Sequence, residues 1–300
     1  MRGDGAAEVV AAPETGRRGA RGLARGLALN YPAFGGGLFL LLVALAGLLA
    51  PFLTPYAPTA QDTPNRLKGV SMEHLLGTDE FGRDIFTRLL YGSRTTLLVG
   101  LVSVALALGI GTILGTAAGY YGGALETCIL RAMDAMLSLP LVLIAIMIVV
   151  VLGPGVLNLI IAIGVSQIPP FTRLARSLVL SVRARDFVQA AHGLGALDSR
   201  ILRVHVVPNV MTPLVAQATA TLALAILNAA ALNFLGLGIQ PPSPDWGAMI
   251  SDFRRFIFDR PELPLYPGLT IALTVIAVNL LGDGLVDLVD PTARRAGHGA

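Results

Sequence analysis

Long apolar runs alternate with short polar stretches along this chain of 300 residues. A helix needs about twenty mostly apolar residues to cross a bilayer. Six runs qualify, centred near Leu42, Ala107, Ile144, Ile161, Leu222 and Leu273. They predict an all-α membrane protein with six transmembrane helices in one polytopic domain. Asn158, Gln217, Thr219, Asn228 and Asn279 are polar positions within these runs. Polar groups in a span face a cavity or a neighbouring helix, so the five are candidates to line a route, with interhelical hydrogen bonding as the alternative. Gly111, Gly115 and Gly119 form a GxxxGxxxG ladder in the second run, which bares one helical face for close approach of another helix, in this chain or in a second subunit. Ser166, Gln167, Pro169 and Pro170 interrupt the end of the fourth run, and the missing backbone hydrogen bonds predict a kink there.

Two polar segments sit at the other ends of these runs. LLGTDEFGRDIFTRLLYGSR, residues 75–94, reads as a helix starting at Thr78, with Asp79 and Glu80 favoured in its first turn by the helix dipole. Ile85, Phe86, Leu89 and Leu90 would share an apolar face while Arg83, Asp84 and Arg88 point away, as in a helix lying on the membrane surface. FLGLGIQPPSPDWGAMI, residues 234–250, joins a proline cluster to the single tryptophan, Trp246, whose amphipathic ring suits a membrane boundary.

DFVQAAHGLGALDSRILRVHVVPN, residues 186–209, is polar, basic and helix-patterned between two apolar runs. Asp186 and Gln189 stand three apart, as in a loose capping box that starts a helix. Phe187, Ala190, Ala191 and Leu194 recur at three- and four-residue spacing, and Gly193 and Gly195 offer a stop. Asp198 can cap a second helix, RILRVHVV, which Pro208 ends or kinks. An apolar stripe outside the bilayer must be covered by the protein's own loops, by lipid or by a partner's groove, and periodicity does not separate the three.

Composition agrees with the patterning: 54% of residues are hydrophobic and 14% charged, with a mean hydropathy of +0.70, against about a quarter charged in soluble domains. One cysteine, Cys128, excludes an internal disulfide. His74, His192, His205 and His298 include no i, i+4 pair, so a metal site gains no support. The only lysine, Lys68, lacks a phosphate-cradling glycine loop, which assigns any ATP binding to another subunit. Arg2, Arg17, Arg18, Arg21 and Arg25 precede the first run and favour a cytoplasmic N-terminus. Six spans return the C-terminus to the same side, with the insertion and its Arg173, Arg176, Arg183, Arg185, Arg200 and Arg203 on the inside. Arg131 and Asp134, three apart, are read as an ion pair on one helix face. Asp283, Asp287 and Asp290 cluster at the end of the last run and read as a solvated boundary, although a proton-coupled secondary transporter or channel would also use such a group. A membrane enzyme finds no converging nucleophile, base and orienting group.

QAAHGLG at Gln189–Gly195, followed by RVHVVPN ending at Pro208 and Asn209, resembles the cytoplasmic EAA loop of importer-type ABC transporter permeases, with Gln189 in place of the usual acidic residue. LLGTDEFGRDIFTRLLYGSR, AGYYGG, RAMDAMLSLP, FLGLGIQPPSPDWGAMI, YPGL and NLLGDGLVDLVDP together resemble the C-type permease of dipeptide, oligopeptide and nickel importers, with Asn233 where serine is usual. The resemblance implies a type I importer permease fold: a cytoplasmic arm over 1–31, a permease domain over 32–295 with its coupling loop at 184–209, and a tail over 296–300. It implies an inner-membrane subunit, not an enzyme, which forms a path for peptide-like solutes with a second homologous permease. Two ATP-binding subunits would hold ATP and Mg, and an extracytoplasmic solute-binding protein would deliver the solute. No cofactor and no nucleic acid is implied for this chain. Asp186, Phe187, Gln189, Ala190, Ala191, Leu194, Gly195, Arg203, His205 and Pro208 are the residues expected at the ATPase contact. Thr78, Asp79, Gly82, Arg83, Asp84 and Trp246 are those expected to meet a partner on the outer face.

Overall fold

The computed structural model describes residues 30–289. The arm up to residue 29, Asp290 and the tail over 296–300 lie outside the described residues. Within them the regular elements are helices, with one isolated bridge between Thr78 and Asp84. Helix α1 runs Tyr31–Leu48, entered through Asn30, whose side chain accepts from the Ala33 N–H, with a proline in the first turn. Helix α2, Ile85–Tyr121, has 37 residues and is therefore about 55 Å long. Gly122 and Gly123 follow with φ of 71° and 61°, a left-handed reversal that other residues adopt at a cost. Helix α3, Gly123–Leu137, and α4, Leu141–Leu152, come next. Helices α5, Val156–Ser166, and α6, Ile168–Arg183, are separated by Gln167. The insertion forms α7, Asp186–Gly193, and α8, Asp198–Ile201, which passes through a π-helical turn at Leu202–Val206 into α9, Val207–Phe234. Helix α10, Trp246–Phe253, and α11, Glu262–Val289, complete the described chain.

Five stretches are long and apolar enough to cross a membrane: α1, α2, α5–α6, α8–α9 and α11. The candidate near Ile144 is different. Helix α4 has 12 residues, about 18 Å, and reaches spanning length only together with α3, from which it bends by 89°. Pro140 lies at the bend; it donates no backbone hydrogen bond and disfavours helical geometry in the residue before it. The break expected near Ser166–Pro170 falls at Gln167, whose N–H is shared between the Ile163 and Gly164 carbonyls at 3.2 Å, and the helix continues beyond it.

The glycine ladder of α2 packs inside the chain, against α6. A Cβ on Gly111 would come within 2.5 Å of Phe171 Cβ, one on Gly115 within 2.6 Å of Ala175 Cβ, and one on Gly119 within 3.0 Å of Val179 Cβ. Of the two readings open from the spacing, the structure takes the intramolecular one. The core follows this seam: Val99, Ala107, Leu159, Ile163, Phe171, Ala175, Val179 and Leu214 are buried in one cluster. Helix α1 lies antiparallel on α11, with Asn30 donating to Asp287 at 3.1 Å and Gly36 against Ala277 and Leu280. The bundle therefore has two ends. The loop end carries Asn30, Tyr121, α7 and Asp287; the cap end carries residues 49–84 and 235–261.

Candidate functional site

At the loop end, α7 turns one side inward. Val188 is 3% exposed and belongs to the core cluster, and Ala191 packs against it. The helix stops by a Schellman motif: Gly195, at φ 77°, donates to the His192 carbonyl at 3.0 Å, and Ala196 donates to the Ala191 carbonyl at 3.1 Å. Gly195 thus supplies the stop, while Gly193 is the last residue of the helix itself. The opposite side is open: Phe187 is 42% exposed, Leu194 88% and Leu197 75%. Phe187 stands 6.1 Å from the His205 ring, centroid to centroid. These residues make an apolar ridge outside the spans, seated on a buried valine. Leu197 continues the 187, 190, 194 spacing beyond Gly195, where the apolar stripe read from the sequence ends.

Three local expectations change here. Asp186 is the first helical residue rather than the cap, which is Arg185, and Gln189 donates to the Arg183 carbonyl at 2.9 Å instead of closing a capping box. Asp198 likewise lies within its helix; its carboxylate accepts from the Tyr120 hydroxyl at 2.7 Å and ties the insertion to α2. Pro208 does not end the second helix. It sits in the first turn of α9, directly after the π turn, where a missing N–H is tolerated and the widened turn lets the helix pass. Arg203 lines a groove between this segment and α2, together with Thr112, Thr116 and Tyr121.

The cap end overturns the surface-helix reading of 78–94. Thr78 and Asp84 pair across a tight turn, and α2 begins only at Ile85, with Asp84 as its cap, accepting from the Thr87 N–H at 2.7 Å. Asp79 takes the Phe81 and Arg83 amides on one oxygen and Arg83 Nε, at 2.5 Å, on the other. Arg88 Nε lies 3.7 Å from the same carboxylate, and His74 Nδ1 is 2.9 Å from Asp84. Thr78, Asp79, Gly82, Arg83 and Asp84 are all buried. Charges withdraw from water because opposite charges and amides meet them inside. Trp246 is fully buried as well, donating from Nε1 to the Leu89 carbonyl at 2.9 Å over Gly92. The six residues expected to meet a partner are the internal frame of the cap. Met72 and Phe258, 97% and 96% exposed, and Phe81 occupy its surface. Asn233 is part of the frame: it donates to Asp245 at 2.7 Å and accepts from the Ile239 N–H at 2.7 Å. Burial pushes the Asp245 carboxyl up, opposed by hydrogen bonds from Thr96, Ala248, Gly247 and Asn233.

Asp134 pairs with Arg173 on α6 rather than with Arg131, and Glu126 pairs with Arg176, so two ion pairs fasten α3 to α6. Among the polar span residues, Asn158 donates to the Leu152 and Gly153 carbonyls and Thr219 to the Ala216 carbonyl. Gln217 and Asn279 are exposed and Asn228 is half-buried.

A bundle of spanning helices with a bonded polar cap at one end and an exposed apolar ridge at the other is the architecture of a polytopic membrane protein, and the comparisons place it in the permease class. Residues 111–295 match the family described as "Binding-protein-dependent transport system inner membrane component", and residues 24–69 match the "N-terminal TM domain of oligopeptide transport permease C". The chain belongs to this family of binding-protein-dependent inner membrane transport components, as a C-type permease. It is 45% identical over 273 residues to the "Di/tripeptide transport system permease protein DppC" of Pseudomonas aeruginosa, covering 89% of this chain and 90% of the relative. It is 48% identical over 247 residues to the "Dipeptide transport system permease protein DppC" of Alkalihalophilus pseudofirmus, covering 82% and 81%. The "Glutathione transport system permease protein GsiD" of Pectobacterium atrosepticum is 40% identical, at 87% coverage of each. Among solved structures, an inward-facing MetNI methionine ABC transporter matches with a TM-score of 0.56 at 19% identity, covering 68% of this chain and 96% of that one, and this shared fold is the type I importer permease fold expected from the sequence.

Proposed function

We propose that this chain is the permease subunit of an ATP-driven importer for dipeptides and oligopeptides, and that α7 is the helix through which ATP-binding subunits move it. The single observation that carries the reading is the ridge of Phe187, Leu194 and Leu197, exposed outside the spans while Val188 and Ala191 anchor it from behind. An amphipathic helix presenting apolar anchors at this spacing fits a groove in a partner. His205, beside Phe187, extends that surface, and Asp186, Gln189 and Ala190 flank it. The side carrying α7 is then cytoplasmic, with both termini on it.

A second homologous permease completes the path, along which Gln217, Asn228 and Asn279 are the polar contacts. The cap receives the solute-binding protein on the surface bearing Met72, Phe81 and Phe258. Peptides as solute follow from the names of the relatives. Two packings of the helices, biased by nucleotide state at α7, are sufficient for alternating access.

Leu194→Cys tests the reading. Its side chain is 88% exposed, so substitution leaves the fold intact, and the cysteine crosslinks to an ATP-binding subunit in the assembled, active complex. Crosslinking to lipid-phase reagents instead, with none to an ATP-binding subunit while uptake proceeds, sinks it. Ala191→Glu, by contrast, puts a carboxylate against the core cluster and blocks assembly or uncouples hydrolysis from uptake. Peptide uptake equal to wild type in that variant contradicts the role given to α7.

A further inference from the structure

The groove between α2 and the segment after α7 holds 460 Å³ and is lined by Thr112, Ile113, Thr116, Tyr121, Arg203 and Val207, with Ser199 at its edge. Three side-chain polar atoms among the described residues are buried without a partner, and two of them, Thr112 Oγ1 and Thr116 Oγ1, belong here. Threonines elsewhere in the bundle return their hydroxyls to a carbonyl one turn back: Thr172 to Ile168, Thr221 to Gln217, Thr274 to Thr270. Thr112 and Thr116 are 9% and 7% exposed and do not. A hydroxyl hidden in a span without a partner is costly, and a pair of them one turn apart is a site prepared for acceptors that come from outside the chain.

The charge in the groove is positive. Arg203 is the one charged residue in its lining and forms no ion pair among the described residues; Asp198, the carboxylate on the same segment, lies outside the lining, where it accepts from the Tyr120 hydroxyl at 2.7 Å. The walls are apolar: Ile113 is 70% exposed, and Ala117, Leu202 and Val207 complete them. Thr112 stands nine residues before Tyr121, about 13 Å along α2, so the groove runs from the end of the span into its apolar interior. An anionic head at one end, oxygen acceptors in the middle and hydrocarbon beyond is the chemistry of a phospholipid. Free phosphate would leave the threonines and apolar walls unused. An uncharged glyceride would leave Arg203 without its counter-charge, and a zwitterionic phosphatidylcholine would bring its quaternary ammonium, a second cation, up to the arginine in a lining that holds no carboxylate. Basic pockets between spans at the cytoplasmic end take anionic headgroups.

We propose that the groove binds one anionic phospholipid, its phosphate at Arg203 and Ser199, its ester carbonyls accepting from Thr116 and Thr112, and an acyl chain along Ile113 and Val207. This stands independently of the transport reading, since it concerns bound lipid and not solute. The π turn at Leu202–Val206 forms part of the groove's wall, so the lipid lies directly behind the segment that follows α7.

Native mass spectrometry of the assembled complex, with phosphatidylglycerol, phosphatidylcholine or inorganic phosphate added in separate arms, tests it. Wild type retains phosphatidylglycerol in preference to phosphatidylcholine. Arg203→Gln and the near-isosteric double variant Thr112→Val/Thr116→Val each lower that retention about tenfold, the scale of one lost charge-assisted or two neutral hydrogen bonds. Subunit masses in the same spectrum report assembly, and Ile113→Trp, which fills an exposed wall, provides a third route to the same loss should either variant fail to assemble. Equal retention of the two lipids, undiminished phosphatidylglycerol in an assembled variant, or its displacement by inorganic phosphate overturns the assignment, the last in favour of a soluble anion.

Discussion

Replacing Gly115 by alanine sets two known quantities against each other. Alanine in a helix interior is favoured over glycine by about 1 kcal/mol. Its methyl at this position, however, would fall on the Thr172 carbonyl oxygen and within 2.6 Å of Ala175 Cβ and 2.9 Å of Arg176 N. Two of these neighbours are backbone atoms of α6 and cannot swing aside, so the helices must separate locally, at an overpacking cost of about 1–3 kcal/mol. The net effect is a loss of about 0–2 kcal/mol, centred on about 1 kcal/mol. Gly109 lies on the same helix with nothing within 4 Å of its missing Cβ, so Gly109→Ala keeps the propensity gain and loses nothing. The two variants therefore differ by about 2 kcal/mol, which corresponds to about 4–8 °C in melting temperature. Thermal unfolding of the detergent-solubilised complex, followed by size-exclusion chromatography after heating, reads this difference. Gly119→Ala, whose nearest contacts are 2.9–3.0 Å, falls between them. If Gly115→Ala melts at or above Gly109→Ala, the seam between α2 and α6 is not closed as described.

Asp79→Asn leaves Arg83 and Arg88 buried without their shared carboxylate and is expected to cost about 3 kcal/mol, seen as loss of assembled complex on mild heating. Trp246→Phe removes the donor to the Leu89 carbonyl while keeping most of the ring; a loss of about 1–3 kcal/mol follows, measured by the same melt. The exchange Asp134→Arg with Arg173→Asp restores opposite charges on a half-exposed pair, so the double variant is expected to melt within about 1 kcal/mol of wild type. Either single variant alone places like charges together and is expected to fall below the double.

Five of the six apolar runs announce their own spans because a bilayer demands length and continuity, which a sequence displays directly; the run near Ile144 does not, because the 89° bend at Pro140 leaves only 12 residues in its helix. What they do not display is which surfaces meet. Gly111, Gly115 and Gly119 declare a close contact, but spacing carries no record of the partner, and only the fold assigns it to α6. Asp134 shows the same limit: Arg131 is near in sequence, yet Arg173 is the residue brought to it. The cap is hidden from the sequence for a further reason. Periodicity points Arg83, Asp84 and Arg88 away from the apolar face and the dipole places Asp79 in a first turn, although opposite charges can be buried together when amides and partners satisfy them. The signal available was Gly77 and Gly82, at φ 78° and 76°, which punctuate a turn where a helix was expected to start. The ridge of α7 was legible apart from its inner face, because Val188 is as apolar as Phe187 and only packing distinguishes the side that is anchored from the side that is free.

Helix α2 is held at both extremities: Asp84 and the buried charges fix its beginning, and Tyr120, one residue from its end, is bonded to Asp198 beside the π turn. A strut of about 55 Å tied in this way passes part of a displacement at one terminus to the other and takes up the rest by bending. A tilt of about 5° around its midpoint carries each tip about 2.4 Å in opposite directions on that length. One helix thereby joins the cap to the segment that carries Asp198, so a displacement at either end has a direct route to the other.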